Sequence, residues 1–193
     1  MNVLGLDLSL ASTGWALGEP GSFPDVGRIR TASVPKGTKT KPNPIFQLQQ
    51  ANRIAHDILP EIQDLADSAD FVVLEDFSYG SVDKSLPYLI GGLGYAVRVE
   101  LVRWEIPWLA LAPGKVKIYA TGDGRAEKTD VVVSVRERFG PNAPRQNDEV
   151  DAFVLWAMAQ DADGHPLVDL PKSHRRALKG VEWPLPAAGM AGL

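Results

Sequence analysis

The sequence predicts an α/β domain built on a mixed sheet, and three observations carry that prediction. Residues 3–8 and 71–75 are short, nearly all-apolar runs of strand length that reach a carboxylate. Helical apolar spacing fills 45–62, 86–104, 128–139 and 147–159. In the second half, helix-like and strand-like segments alternate, the pattern of sheets covered by helices.

Taken in order, residues 3–8 read as a strand buried on both faces, bounded by Ser9 and Ser12. Residues 14–17 return as a hairpin partner, and 27–34 supply a third strand. Residues 36–44 are rich in Lys, Pro, Gly and Thr and read as a surface loop. Leu48, Ala51, Ile54, Ala55, Ile58, Leu59 and Ile62 then recur at helical spacing. The run 71–74 is a second buried strand ending at Glu75. Residues 86–104 form a long apolar helix despite Gly91, Gly92 and Gly94, which point to close backbone packing, for instance against a partner subunit. Residues 108–111 are another strand. Pro113 suits the first turn of a short helix, 121–125 reads as a flexible break, and Asn147 caps a last helix through Ala159. The domain is expected to span 1–164. Residues 165–193 form a Pro-rich, partly basic extension whose last residues are expected to be disordered.

The 193 residues suffice for one well-buried domain, with 45% apolar and 23% charged residues, as in an ordinary globular chain. The absence of cysteine excludes disulfides, thiolate metal sites and cysteine nucleophiles. No apolar run approaches the roughly 20 residues that span a bilayer. The N-terminus has neither a basic leader nor a small-residue cleavage site, so a cytoplasmic protein is expected. Net charge is −4 but uneven: −4 over residues 1–97, +3 over 98–145 and −3 over 146–193. A basic middle between acidic ends permits a phosphate-binding face beside a carboxylate cluster.

Asp7 interrupts one apolar strand and Glu75 ends another. If the two strands are parallel neighbours, these carboxylates lie about 5 Å apart and repel unless a proton or cation sits between them. Oxygen ligands favour magnesium or manganese over zinc. Asp148 and Asp151, three apart at the start of the last helix, share a face. Each acid alone has an ordinary reading: Asp7 as a turn starter, Asp148 and Glu149 as charges favoured in a first helical turn. Their combination points to a metal centre.

Four segments, in order, resemble RuvC-type Holliday junction resolvases. They are Gly5-Leu6-Asp7-Leu8-Ser9 through Gly14-Trp15-Ala16, Val73-Leu74-Glu75, Ala112-Pro113-Gly114-Lys115-Val116-Lys117 with Thr121-Gly122-Asp123-Gly124-Arg125-Ala126-Glu127-Lys128, and Asp148-Glu149-Val150-Asp151-Ala152. The resemblance covers about residues 3–160. It implies an RNase H-like fold with a five-stranded mixed sheet, a homodimer, and two Mg2+ ions per active site, for which Mn2+ can substitute. Asp7 would bridge both ions, with Glu75, Asp148 and Asp151 completing the shells. It further implies an endonuclease that resolves four-way junctions by paired nicks. Lys117 and Lys128 match basic positions that the family sets near the scissile phosphate. Lys115, which matches none, and Arg125 are further candidates for DNA contact. The family carries an aromatic after the second acidic strand; here Phe77 and Tyr79 flank that position, which Ser78 occupies, and either can stack on a base or simply pack.

His174, Arg175, Arg176 and Lys179 form a basic cluster before Trp183, readable as a solvated helix pinned by the Trp or as extra DNA contact. His56, His165 and His174 fit no metal-ligand spacing. Competing functions are a broader flap or fork nuclease, a non-catalytic junction binder, and an actin-like phosphotransferase. The last needs two domains and a second phosphate loop, for which 193 residues are too few, so no nucleotide cofactor is expected.

Overall fold

The computed structural model describes residues 1–37, 41, 43–76 and 87–183. Five strands, β1 (Val3–Asp7), β2 (Ser12–Gly18), β3 (Asp25–Arg30), β4 (Phe71–Glu75) and β5 (Trp108–Leu111), form one sheet in the order β3-β2-β1-β4-β5. β2 runs antiparallel to both β1 and β3, while β1, β4 and β5 are parallel. This is the mixed five-stranded sheet expected. The third strand ends at Arg30, short of the anticipated Val34, because its partner β2 begins at Ser12, opposite Arg30.

Alternation along the strands sorts side chains onto two buried faces. Leu4, Leu6, Val72 and Leu74 point toward one core, covered by Ile54 and Ile58, which follow α1 (Phe46–Arg53), and by α2 (Leu59–Ala66) and α3 (Pro87–Arg103). Val3, Phe71 and Val73 point toward the other, covered by α4 (Pro113–Thr121), α5 (Lys128–Phe139) and α6 (Asn147–Ala162). In α6, Val150 and every residue from Ala152 through Asp161 are buried, as suits a helix apolar on all sides. A π-helical turn, Ile54–Ile58, separates α1 from α2. Pro60 lacks an N–H and its ring crowds the carbonyl four residues back, at His56, which accounts for the widened turn.

Three local expectations are corrected. Among the described residues Gly91 and Gly92 make no close intrachain approach: a Cβ on either would meet nothing within 4 Å. The N-cap of α6 is Gln146, with extended backbone and no side-chain cap bond, in place of Asn147. Residues 121–125 are no loose break. Gly122 ends α4 in the left-handed conformation (φ 84°) that favours glycine. Thr121 Oγ1 donates to the Lys117 carbonyl and accepts from the Asp123 N–H, and Asp123 Oδ1 accepts from the Arg125 N–H. Glu127 and Asp130 then form a reciprocal capping box for α5.

After α6, α7 (Lys172–Arg175) and a 3-10 turn (Arg176–Leu178) pack on α4. Leu170, His174 and Ala177 are buried there. Among the described residues no helix is long and apolar enough to cross a membrane.

Candidate active site

Asp7 is the last residue of β1 and Glu75 the last of β4. The parallel register that pairs Leu6 with Leu74 carries them side by side onto the face covered by α6. Two glycines let α6 come close enough to complete the group. A Cβ at Gly14, opposite Asp7 on β2, would lie 1.9 Å from the Asp148 carbonyl oxygen, and one at Gly5 2.3 Å from that of Ala152. The first turn of α6 is thus seated on bare backbone. One carboxylate oxygen from each of Asp7, Glu75 and Asp151 falls within 4.8 Å of the others. Asp148 lies beside this trio and outside it, near enough to raise the Asp7 and Asp151 pKa values.

The carboxylates perturb one another as a shared low-dielectric site requires. Burial, then the charges of Glu75 and Asp151, hold the Asp7 carboxyl well above the usual range. Burial and then Asp151 push Glu75 up to about 7, with an Asp7 side-chain hydrogen bond in partial opposition. Burial also raises Asp151. Lys128 lowers all three, and Lys117 lowers Glu75 and Asp151, so both lysines face the cluster from α4 and α5. The residues fit a hard divalent cation: oxygen ligands only, crowded, and short of positive charge.

Charge pairs invisible to sequence spacing hold the frame. Arg28 of β3 meets Glu149 at 3.0 Å, which anchors α6 and gives Glu149 a structural partner. Arg98 of α3 meets Asp76 at 2.8 Å, just past Glu75. Buried Arg53 donates to Thr31 Oγ1 at 2.6 Å and to the Leu10 carbonyl, fixing the turn that leaves Asp7. Within that turn Thr13 Oγ1 donates to the Ser9 carbonyl at 2.8 Å.

Of the predicted DNA contacts, Lys117 is half-buried and Lys128 exposed beside the carboxylates, and Arg125 is exposed on the turn between them. Lys115 is directed elsewhere: its ammonium donates to the carbonyls of Ala177 and Lys179 at 3.0 and 2.9 Å, holding the C-terminal extension. Phe77 and Tyr79 lie outside the described residues.

All three triad carboxyls hold protons more tightly in the folded chain than in the unfolded one. Their contribution to stability is therefore full below the ordinary carboxylate range, roughly pH 4. It is lost as pH rises through the folded values, about 7 for Glu75. Without added metal, thermal melts should show the wild type losing stability between pH 5 and pH 8 relative to Asp7→Asn. Parallel pH profiles would show that the cluster is not the source.

No protein-family model and no curated protein matches the sequence. Solved structures do. A Thermus thermophilus RuvC structure aligns with a TM-score of 0.56 and 22% identity, over 86% of this chain and 98% of that one. T. thermophilus RuvC in complex with a Holliday junction substrate aligns with a TM-score of 0.53 and 22% identity, over 80% and 90%. At that identity the likeness establishes the fold, an RNase H-like α/β domain.

Proposed function

We propose that this protein is a divalent-metal-dependent endonuclease that resolves four-way DNA junctions by paired nicks. The observation that carries the reading is the meeting of Asp7, Glu75 and Asp151, far apart in sequence, within 4.8 Å beneath two lysines. The fold it shares with a protein solved on a Holliday junction substrate supports the same reading.

Asp7, Glu75 and Asp151, with Asp148 alongside, would hold two magnesium or manganese ions. Bound there, the metal supplies activation of a water and charge stabilisation at the leaving oxygen of a phosphodiester. The chain's own part is to crowd four carboxylates on rigid strand ends and a buried helix, so that ligand geometry is set before DNA arrives. Lys117 and Lys128 offset the charge of that cluster toward the approaching phosphate. Magnesium should raise the melting temperature little near pH 5, where the carboxyls keep their protons, and strongly near pH 8.

A four-way junction has approximate two-fold symmetry, and paired nicks call for two sites related by the same operator. The surface suited to a second copy is on α3. Tyr95, Val99 and Val102 are 69%, 47% and 65% exposed there at helical spacing, next to Trp108 and Ala110 on the edge strand.

The decisive experiment compares magnesium-dependent nicking of a synthetic four-way junction with that of a flap and a linear duplex. Strong preference for the junction, with symmetric cuts, is expected; equal cutting of flaps would favour the broader branched-DNA nuclease, and activity in chelator would end the metal mechanism. Lys128→Ala should slow cleavage and reduce the salt slope of junction binding by about 0.9. An unchanged slope and rate would return Lys128 to an ordinary surface lysine.

A further inference from the structure

Every Lys and Arg in residues 146–193 belongs to one short stretch: Lys172, Arg175, Arg176 and Lys179. Lys172 and Arg175 lie on α7, Arg176 opens the 3-10 turn and Lys179 follows it in extended backbone, and all four are exposed. His174 and Ala177 are buried beneath. The four cations line a groove of about 560 Å³; among the described residues Leu178 is its one apolar wall and no carboxylate lines it. Asp161, the partner of Arg175, is buried below and shared with the Tyr119 hydroxyl. Asp169 also acts on Arg175 electrostatically. These acids temper the positive charge without cancelling it. On a chain of net charge −4, such a concentration of one sign is stabilised by an anionic partner.

The groove is tied to the candidate active site. Arg176 donates to the Gly122 carbonyl at 2.9 Å, His174 Nδ1 donates to the Tyr119 carbonyl at 2.8 Å, and Lys115 clamps the backbone of Ala177 and Lys179. All four bonds tie the extension to α4 or its cap, the same segment that carries Lys117. From Lys117 to Gly122 the helix rises roughly 7.5 Å. The groove is therefore built against the helix that carries Lys117.

We propose that this groove binds the phosphodiester backbone of a DNA arm away from the point of cleavage, a contact indifferent to sequence. The inference rests on the nuclease reading. Lys and Arg with no aromatic lining suit phosphates and not stacked bases. A groove of about 560 Å³ lined by four cations is far larger than a single phosphate group, so it favours a chain of phosphates over a free anion.

Lys172→Gln/Lys179→Gln tests this, since neither side chain supports the fold, while Arg175 and Arg176 do and are left intact. Junction binding is measured by fluorescence anisotropy across a salt series, with both proteins in the Asp7→Asn background and thermal melts as the folding control. The double variant should bind roughly tenfold more weakly, with a salt slope smaller by about 1.8 and an unchanged melting temperature. A wild-type background that binds DNA and a variant that matches it in affinity and slope would overturn the groove alone. A background that binds no DNA would overturn the functional reading as well. Binding of a poly-glutamate peptide that depends on the two lysines, where DNA binding does not, would assign the groove to an acidic protein partner instead.

Discussion

Asp7→Asn is expected to abolish nicking of a four-way junction while leaving junction binding intact or tighter. Asp7 is the most crowded member of the cluster, acted on by Glu75, Asp151 and Asp148 together. Replacing its carboxylate with an amide removes one charged ligand from the group that would hold the metal. Metal assistance is worth several kcal/mol of barrier, and about 1.4 kcal/mol is tenfold in rate, so a loss of at least about a thousandfold is anticipated. Binding moves the other way, because one negative charge facing the phosphate is gone. Single-turnover cleavage and anisotropy on the same junction check both halves. Loss of binding together with cleavage would mean that the variant has misfolded or that the site lies elsewhere; cleavage within tenfold of wild type would refute the assignment.

Gly14→Ala should be nearly as damaging, though position 14 carries no chemistry. The added Cβ meets the Asp148 carbonyl oxygen at 1.9 Å, and backbone cannot step aside as a flexible side chain can. Helix α6 has to lift or slide, taking Asp148 and Asp151 away from Asp7. Overpacking of this kind costs about 3 kcal/mol, and a displacement near 1 Å at a reacting centre costs about a hundredfold in rate. Denaturant unfolding and single-turnover cleavage should fall together. A Gly14→Ala protein with unchanged stability and rate would show that α6 is not seated on β2 as described.

The sheet and the acids were legible because both violate ordinary expectation locally. An all-apolar strand interrupted by Asp7, or ended by Glu75, stands out at short range. The spacing of Asp148 and Asp151 places them together on any helix. What sequence could not supply were the partners. Lys115 has the same local setting as Lys117, two residues on, yet it turns to carbonyls more than sixty residues away. Arg28 and Glu149, or Arg98 and Asp76, are unremarkable charges until the sheet brings them together. Gly5 and Gly14 did carry a signal, since glycine inside a strand often marks close backbone approach; which helix would approach depended on the tertiary fold. The apolar spacing of 45–62 runs on across Pro60, so the π-helical turn just before that proline does not show in the pattern.

The packing of the C-terminal extension bears on where the chain can be cut. Sequence composition invites a boundary after Gly164, since every candidate metal ligand precedes it. Such a shortened protein would leave the Asp161 carboxylate, whose side chain is fully enclosed, without the guanidinium of Arg175 that neutralises it. That carboxylate would be opened to water, and α4 would lose the supports that fix the bearing of Lys117. Truncation would thus blunt the nuclease by unroofing its scaffold, with every metal ligand still in place.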